Sequence, residues 1–161
     1  MKHFLGESMG LLKCSLEESE ALSTMKRTVR RVLKKYRTVI DGVFGELPVD
    51  DKGDKVTSMS VLAHSIFADG ATNWGRIVSL VAFGVIVCQN SNKEEEERLA
   101  LVESVGEEIS TYLLTDQRDW LLKNNSWVGF VEFFAEPQHV LKDTLLCIAG
   151  FAGIGALIYF V

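Results

Sequence analysis

The chain has 161 residues, 47% apolar and 24% charged, and a formal charge of −5 from 17 Lys and Arg against 22 Asp and Glu. At roughly 100–200 residues per domain this is one compact unit, too small for a multidomain enzyme, and the composition excludes both a disordered chain and a polytopic membrane protein. The acidic total argues against nucleic acid as the dominant partner.

Two prolines, Pro48 and Pro137, and no period-two runs of Val, Ile and Thr point away from a β-sandwich and toward an all-α fold. Leu5, Met9, Leu12 and Leu16 share one helical face and predict a first, frail helix, weakened by Gly6 and Gly10. A long second helix opens near Ser15 or Ser19. Its stripe runs through Leu22, Met25, Val29, Val32, Leu33, Tyr36, Ile40, Val43, Phe44 and Leu47 until Pro48 stops it. The other face carries Lys26, Arg27, Arg30, Arg31, Lys34, Lys35 and Arg37, a basic surface suited to solvent or to anionic lipid or nucleic acid.

Residues 48–55 read as a loop, and a short third helix is expected from about Val56 through Met59, Leu62, Ala63 and Ile66, ending at Asp69-Gly70. Thr72 or Asn73 suits an N-cap for the next helix, whose residues 77–88 are apolar on nearly every side. A helix of that kind must be surrounded by others, and twelve residues are too few to span a bilayer, so it belongs at the centre of a bundle. The run KEEEER, residues 93–98, marks a solvated helix start. Leu99, Val102, Val105, Ile109, Tyr112 and Leu113 then form another amphipathic stripe. Residues 119–122 and 127–134 are short aromatic-rich pieces expected to close one end of the core.

The C-terminal residues 144–161, TLLCIAGFAGIGALIYFV, contain no charge, and 18 residues at 1.5 Å each reach about 27 Å, close to one hydrocarbon core. They predict a tail anchor, with residues 1–143 as a helical domain facing the cytosol. The N-terminus reaches Glu7 before any apolar run develops, so no signal peptide is expected. Cys14, Cys88 and Cys147 are far apart and odd in number, which suits free thiols in a reducing compartment. His3, His64 and His139 lack ligand spacing, so no metal and no cofactor is expected. Nucleophile elbows and phosphate loops are missing, and His64-Ser65 with Asp69 lies on a predicted helix with no reason to act as a triad, so the chain does not read as an enzyme. Gly70, Gly75 and Gly84 are spaced for close helix approach.

The stretch FADGATNWGRIVSLVAFGVIV, residues 67–87, resembles the first homology motif of the B-cell lymphoma 2 (Bcl) family of apoptosis regulators, and DWLLKNNSWVGFVEFF, residues 119–134, resembles the second. RDWL and GFVEFF are most similar to the myeloid cell leukaemia (Mcl) branch. The resemblance implies a bundle of about eight helices around a central apolar hairpin, with a C-terminal membrane-anchor helix. It implies a groove that binds the amphipathic third-homology (BH3) helix of a pro-death partner, Bim-like, Bid-like or Bak-like. Arg76 matches the groove arginine that would pair with a ligand aspartate, Asn73 a polar contact beside it, and Gly75 a place of close backbone approach. By position, Ile40, Val43, Leu47, Met59, Leu62, Ile66, Leu80 and Phe83 match the apolar lining.

The family's own third-homology segment has a small residue and an acid after its leucine. Here Met25 is followed by Val29-Arg30, which speaks against a BH3 donor. The expected function is therefore anti-apoptotic sequestration of BH3 helices at the mitochondrial outer membrane or endoplasmic reticulum. The alternatives are a Bax-like or Bak-like pore former, and a membrane-tethered adaptor using the basic face 26–37. Self-association as a homodimer stays open.

Overall fold

The computed structural model describes residues 19–46 and 58–135, and these are helical with short connections. Helix α1 is Glu20–Gly45, α2 is Met59–Ile66, α3 is Trp74–Gln89, α4 is Glu95–Thr115, α5 is Arg118–Lys123 and α6 is Ser126–Ala135. The expected first helix, Leu47, the loop at 48–55, Cys14, Cys147 and the expected anchor at 144–161 lie outside the described residues. Among the described residues no helix is long and apolar enough to cross a membrane.

Helix α3 is the axis. Its sequence has apolar residues on every side, and 14 of its 16 residues are buried, Trp74 to Cys88 with the sole exception of Arg76. Such a helix loses its exposed surface only when neighbours cover it on all sides. Helices α1, α2 and α4 all pack on it, while α6 packs on α1 and α2 on α4. Gly84 lets α4 come close: a Cβ there would sit 2.9 Å from Ile109 Cδ1 and 3.1 Å from Val105 Cγ1. Of the three glycines expected to permit close approach, Gly84 does so against α4. Gly70 instead supplies a turn, at φ +74°. Gly75 is buried.

Helix α1 starts at Ser19, whose side chain accepts a hydrogen bond from the Leu22 N–H at 3.2 Å. Its predicted stripe is the buried face. Met25, Val29, Val32, Ile40, Val43 and Phe44 are in the core, and Leu22, Leu33 and Tyr36 pack at its margin. Helix α2 begins at Met59 because Ser58 caps it, and Glu108 of α4 accepts from both Ser58 Oγ and the Ser60 N–H at 3.2 Å. It ends at Ile66, earlier than Asp69-Gly70, because residues 67–70 tighten into a turn closed by the Gly70 N–H on the Phe67 carbonyl, 2.9 Å. In α4 the stripe is buried from Val102 to Leu113, whereas Leu99 is 37% exposed and belongs to the solvated rim.

The aromatic pieces do close one end. Trp74 makes edge-on contacts with Trp120 of α5, 4.8 Å between centroids, and with Phe130 of α6, 5.5 Å, and Phe130 meets Phe134 at 5.0 Å. Each such pair adds about 0.5–1.5 kcal/mol beyond area burial. The α5–α6 elbow is tight: Asn125 and Ser126 have φ of 62° and 49°, and a Cβ at Gly129 would fall 1.9 Å from the Asn124 carbonyl oxygen.

Candidate functional site

The N-terminus of α3 is built from its own sequence. Asn73 has extended backbone, and its Oδ1 accepts from the Arg76 backbone N–H at 2.8 Å, so Asn73 rather than Thr72 is the N-cap. Thr72 is used elsewhere. Its hydroxyl donates to Gln117 Oε1 at 2.6 Å, and Gln117 Nε2 donates to the Tyr112 hydroxyl at 3.0 Å, a buried chain tying this loop to the α4–α5 junction. Burial pushes the Tyr112 hydroxyl above its usual value despite that bond.

Arg76 is the charged residue of this otherwise apolar helix, with its side chain 14% exposed. A cation so placed needs a partner. It finds Asp69, in the turn before the helix. Nη1 donates to Asp69 Oδ1, Nη2 donates to Oδ2 at 2.7 Å, and Nη1 also donates to the Ala71 carbonyl at 2.7 Å. The Ala71 N–H donates to Asp69 Oδ1 at 3.0 Å, which fixes the carboxylate from the other side. The Arg76 hydrogen bonds, with help from the Ala71 N–H, hold the Asp69 carboxyl well below the usual carboxylate range. Asp69 itself is 59% exposed. The guanidinium therefore holds a carboxylate in the planar two-bond geometry that Arg favours, at a place open to solvent on the acid's side.

Arg76, Leu80 and Phe83 follow at i, i+4 and i+7, so they share one face of α3. Phe83 meets Phe44 of α1 at 6.4 Å between centroids. Met59, Leu62 and Ile66 repeat at helical spacing on α2, and Ile40 and Val43 lie on the buried face of α1. The structure brings these seven apolar residues into one continuous core. All are between 0 and 9% exposed, so in this conformation they are packed rather than displayed along an open groove. Leu47 falls outside the described residues. Gly75 is buried next to the cap.

The sequence reading missed Asp69 as the partner of Arg76, and Gln117 as the link between Thr72 and Tyr112. An Asp-Gly turn seven residues before a cation was the available signal for the first. The His64, Ser65 and Asp69 group has no catalytic geometry. His64 Nδ1 lies 2.8 Å from the Ser60 carbonyl, Ser65 Oγ donates to the Val61 carbonyl at 3.0 Å, and Asp69 is held by Arg76. Among the described residues no group of His, Cys, Asp and Glu could hold a metal ion. Cys88 is fully buried, and desolvation pushes its thiol up to about 12.

Residues 25–127 match the family described as "Apoptosis regulator proteins, Bcl-2 family". The chain is similar to "Apoptosis regulator R1" of Xenopus laevis, 29% identical over 131 residues, 81% of this chain and 53% of the relative. It is also similar to "Anti-apoptotic protein NR13" of Gallus gallus, 29% identical over 61% of this chain and 58% of the relative. A third relative is "Bcl-2-like protein 1" of Homo sapiens, 30% identical over 62% and 41%. The chain thus spans about half the length of the curated relatives it matches. In fold it is similar to a zebra-fish pro-survival protein, NRZ, solved in complex with the Bad BH3 segment, with a TM-score of 0.66 at 24% identity, covering 83% of this chain and 88% of that one.

Proposed function

The chain belongs to the Bcl-2 family of apoptosis regulators, and we propose that it is a pro-survival member that captures the amphipathic BH3 helix of pro-death partners. One observation carries the reading: a nearly buried arginine, Arg76, that already grips a carboxylate with two hydrogen bonds and heads the file Leu80 and Phe83 on the same helix face. A partner helix with apolar residues at i, i+3/4 and i+7 and one aspartate has the matching chemistry. Its aspartate would take over the guanidinium from Asp69, and its apolar residues would replace internal contacts among Ile40, Val43, Met59, Leu62, Ile66, Leu80 and Phe83. Because those residues are packed in the free chain, binding carries the cost of parting α1 and α2 from α3.

No bond is made or broken in this mechanism. Each captured helix is withheld from pore assembly, and nanomolar capture corresponds to about −12 kcal/mol. The relative named anti-apoptotic supports the sign of the effect. So does Val29-Arg30, where a BH3 donor needs a small residue and an acid. We place residues 144–161 in the mitochondrial outer membrane or endoplasmic reticulum as a tail anchor, on the strength of 18 uncharged residues.

The test is calorimetric titration of the full-length chain, in mild detergent, with Bim-like, Bid-like, Bak-like and Bad-like BH3 peptides. Saturable one-to-one binding is expected. No binding across the panel would overturn the reading.

A further inference from the structure

We infer that the outer face of α1 is a docking surface for an anionic lipid bilayer, separate from the BH3 site. Lys26, Arg27, Arg30, Arg31, Lys34, Lys35 and Arg37 lie within twelve residues, about 18 Å of helix. Arg27, Arg30, Arg31, Lys34, Lys35 and Arg37 are exposed, and all seven lie opposite the buried stripe of Met25, Val29, Val32 and Ile40. At 100° per residue they cover about half the circumference of the helix.

Charge is segregated as well as clustered. Helix α1 with its two caps, residues 19–46, holds seven cations and three acids, Glu20, Asp41 and Glu46, while the rest of the chain holds ten cations and 19 acids. Asp41 reaches the patch, where Arg37 Nε donates to it at 3.0 Å. Among the described residues Arg30, Arg31, Lys34 and Lys35 make no ion pair. Lys35 instead lies over the Tyr36 ring at 5.2 Å. These four neighbouring cations on an acidic protein are complementary to an anionic plane.

The position of the chain's exit selects a membrane as that plane. Arg27 Nη2 donates to the Phe134 carbonyl at 3.3 Å, so α6 ends beside the basic face. Only eight residues separate Ala135 from Thr144, where the uncharged stretch starts. At most about 29 Å of chain can intervene. A bilayer holding that stretch therefore lies within reach of the α1 face. Nucleic acid is the weaker fit, because the one aromatic side chain among the cations, Tyr36, packs against the core with Lys35 over its ring and is not free to stack on bases.

The experiment is co-flotation of the full-length chain with vesicles of neutral phosphatidylcholine, or of phosphatidylcholine carrying roughly a third phosphatidylserine. The residues 144–161 contribute to both, so the readout is the ratio between them. We expect at least a tenfold preference for the anionic vesicles at low salt, since each cation at an anionic surface is worth about fivefold. The preference should vanish near 0.5 M salt. It should also vanish in the fourfold variant Arg30→Gln, Arg31→Gln, Lys34→Gln, Lys35→Gln, and survive in the control Arg118→Gln, Lys123→Gln. Equal binding to both vesicles, or a preference that survives the fourfold change, would overturn the proposal. So would displacement of the protein by a single-stranded oligonucleotide at equal phosphate concentration, which would reassign the face to nucleic acid. Helicity and BH3-peptide titration of the fourfold variant keep a folding defect, or a failure of the BH3 reading, apart from a loss of lipid contact.

Discussion

Arg76 and Asp69 hold each other through two parallel hydrogen bonds across the turn that opens α3. The same carboxylate is pinned by the Ala71 N–H, so the turn, the cap at Asn73 and the ion pair form one local unit. Two carboxylates cannot occupy the same guanidinium edge at once, which makes Asp69 the internal rival of any partner's aspartate.

The pair has a pH signature. The folded-state value of Asp69 is depressed, so its contribution is fully present above the unfolded value near 4 and is lost as pH falls below it. Asp69→Asn should therefore flatten the acid limb of the stability curve between about pH 4 and 2. Urea midpoints measured across that range check this. An unchanged acid limb would mean the pair is broken in solution.

Cys88 works in the opposite direction. Its thiol is raised from an ordinary 9.0 to about 12, so the unfolded chain ionises first as pH rises. Stability should fall above about pH 9 by roughly 1.4 kcal/mol per unit from this group. Tyr112, raised by burial, adds to the loss above about pH 10. Cys88→Ala should remove the first part of the slope. In the folded protein Cys88 should resist thiol reagents at pH 8 and react only after unfolding.

Gly129 has no room for a methyl group. A Cβ 1.9 Å from a backbone carbonyl cannot be accommodated by a rotamer change, so Gly129→Ala must reopen the elbow between α5 and α6 and disturb the packing of Phe130 on Trp74. The expected cost is about 3 kcal/mol or more, read as a fall in thermal midpoint. At Gly84 the conflict is with the flexible end of Ile109, and Gly84→Ala should cost about 1–3 kcal/mol, relieved by adding Ile109→Val.

Much of this was legible in the chain. The all-round apolar run 77–88 demanded a central helix, the cap candidates Ser15 or Ser19 and Thr72 or Asn73 bracketed two helix starts that the structure assigns to Ser19 and Asn73, and Arg76 stood out as a charge without company on its own helix. Two things were not legible. Apolar periodicity tells which face is covered but not by what, so Ile40, Leu62 and Phe83 read alike whether they line a groove or fill a core. The Asp69 contact depends on a turn with positive φ at Gly70, which periodicity does not register. The Mcl-branch likeness rests on RDWL and GFVEFF, and the relatives matched above bear on the family as a whole.

The proposed pro-survival role predicts no release of dye from liposomes by the chain on its own or with an activator BH3 peptide. The chain should suppress release by an added pore-forming member, and Arg76→Ala should weaken that suppression. Release by the chain itself would reverse the sign of the function.

The most direct test is a double-mutant cycle between Arg76→Ala and the aspartate-to-alanine change in a bound BH3 peptide, read by calorimetry. Each single change should weaken binding about tenfold to a hundredfold, and the double change little more than either, a coupling of about 1–3 kcal/mol. Additive losses would mean that Arg76 does not meet the partner's carboxylate, and the site assigned to the N-terminus of α3 would be wrong.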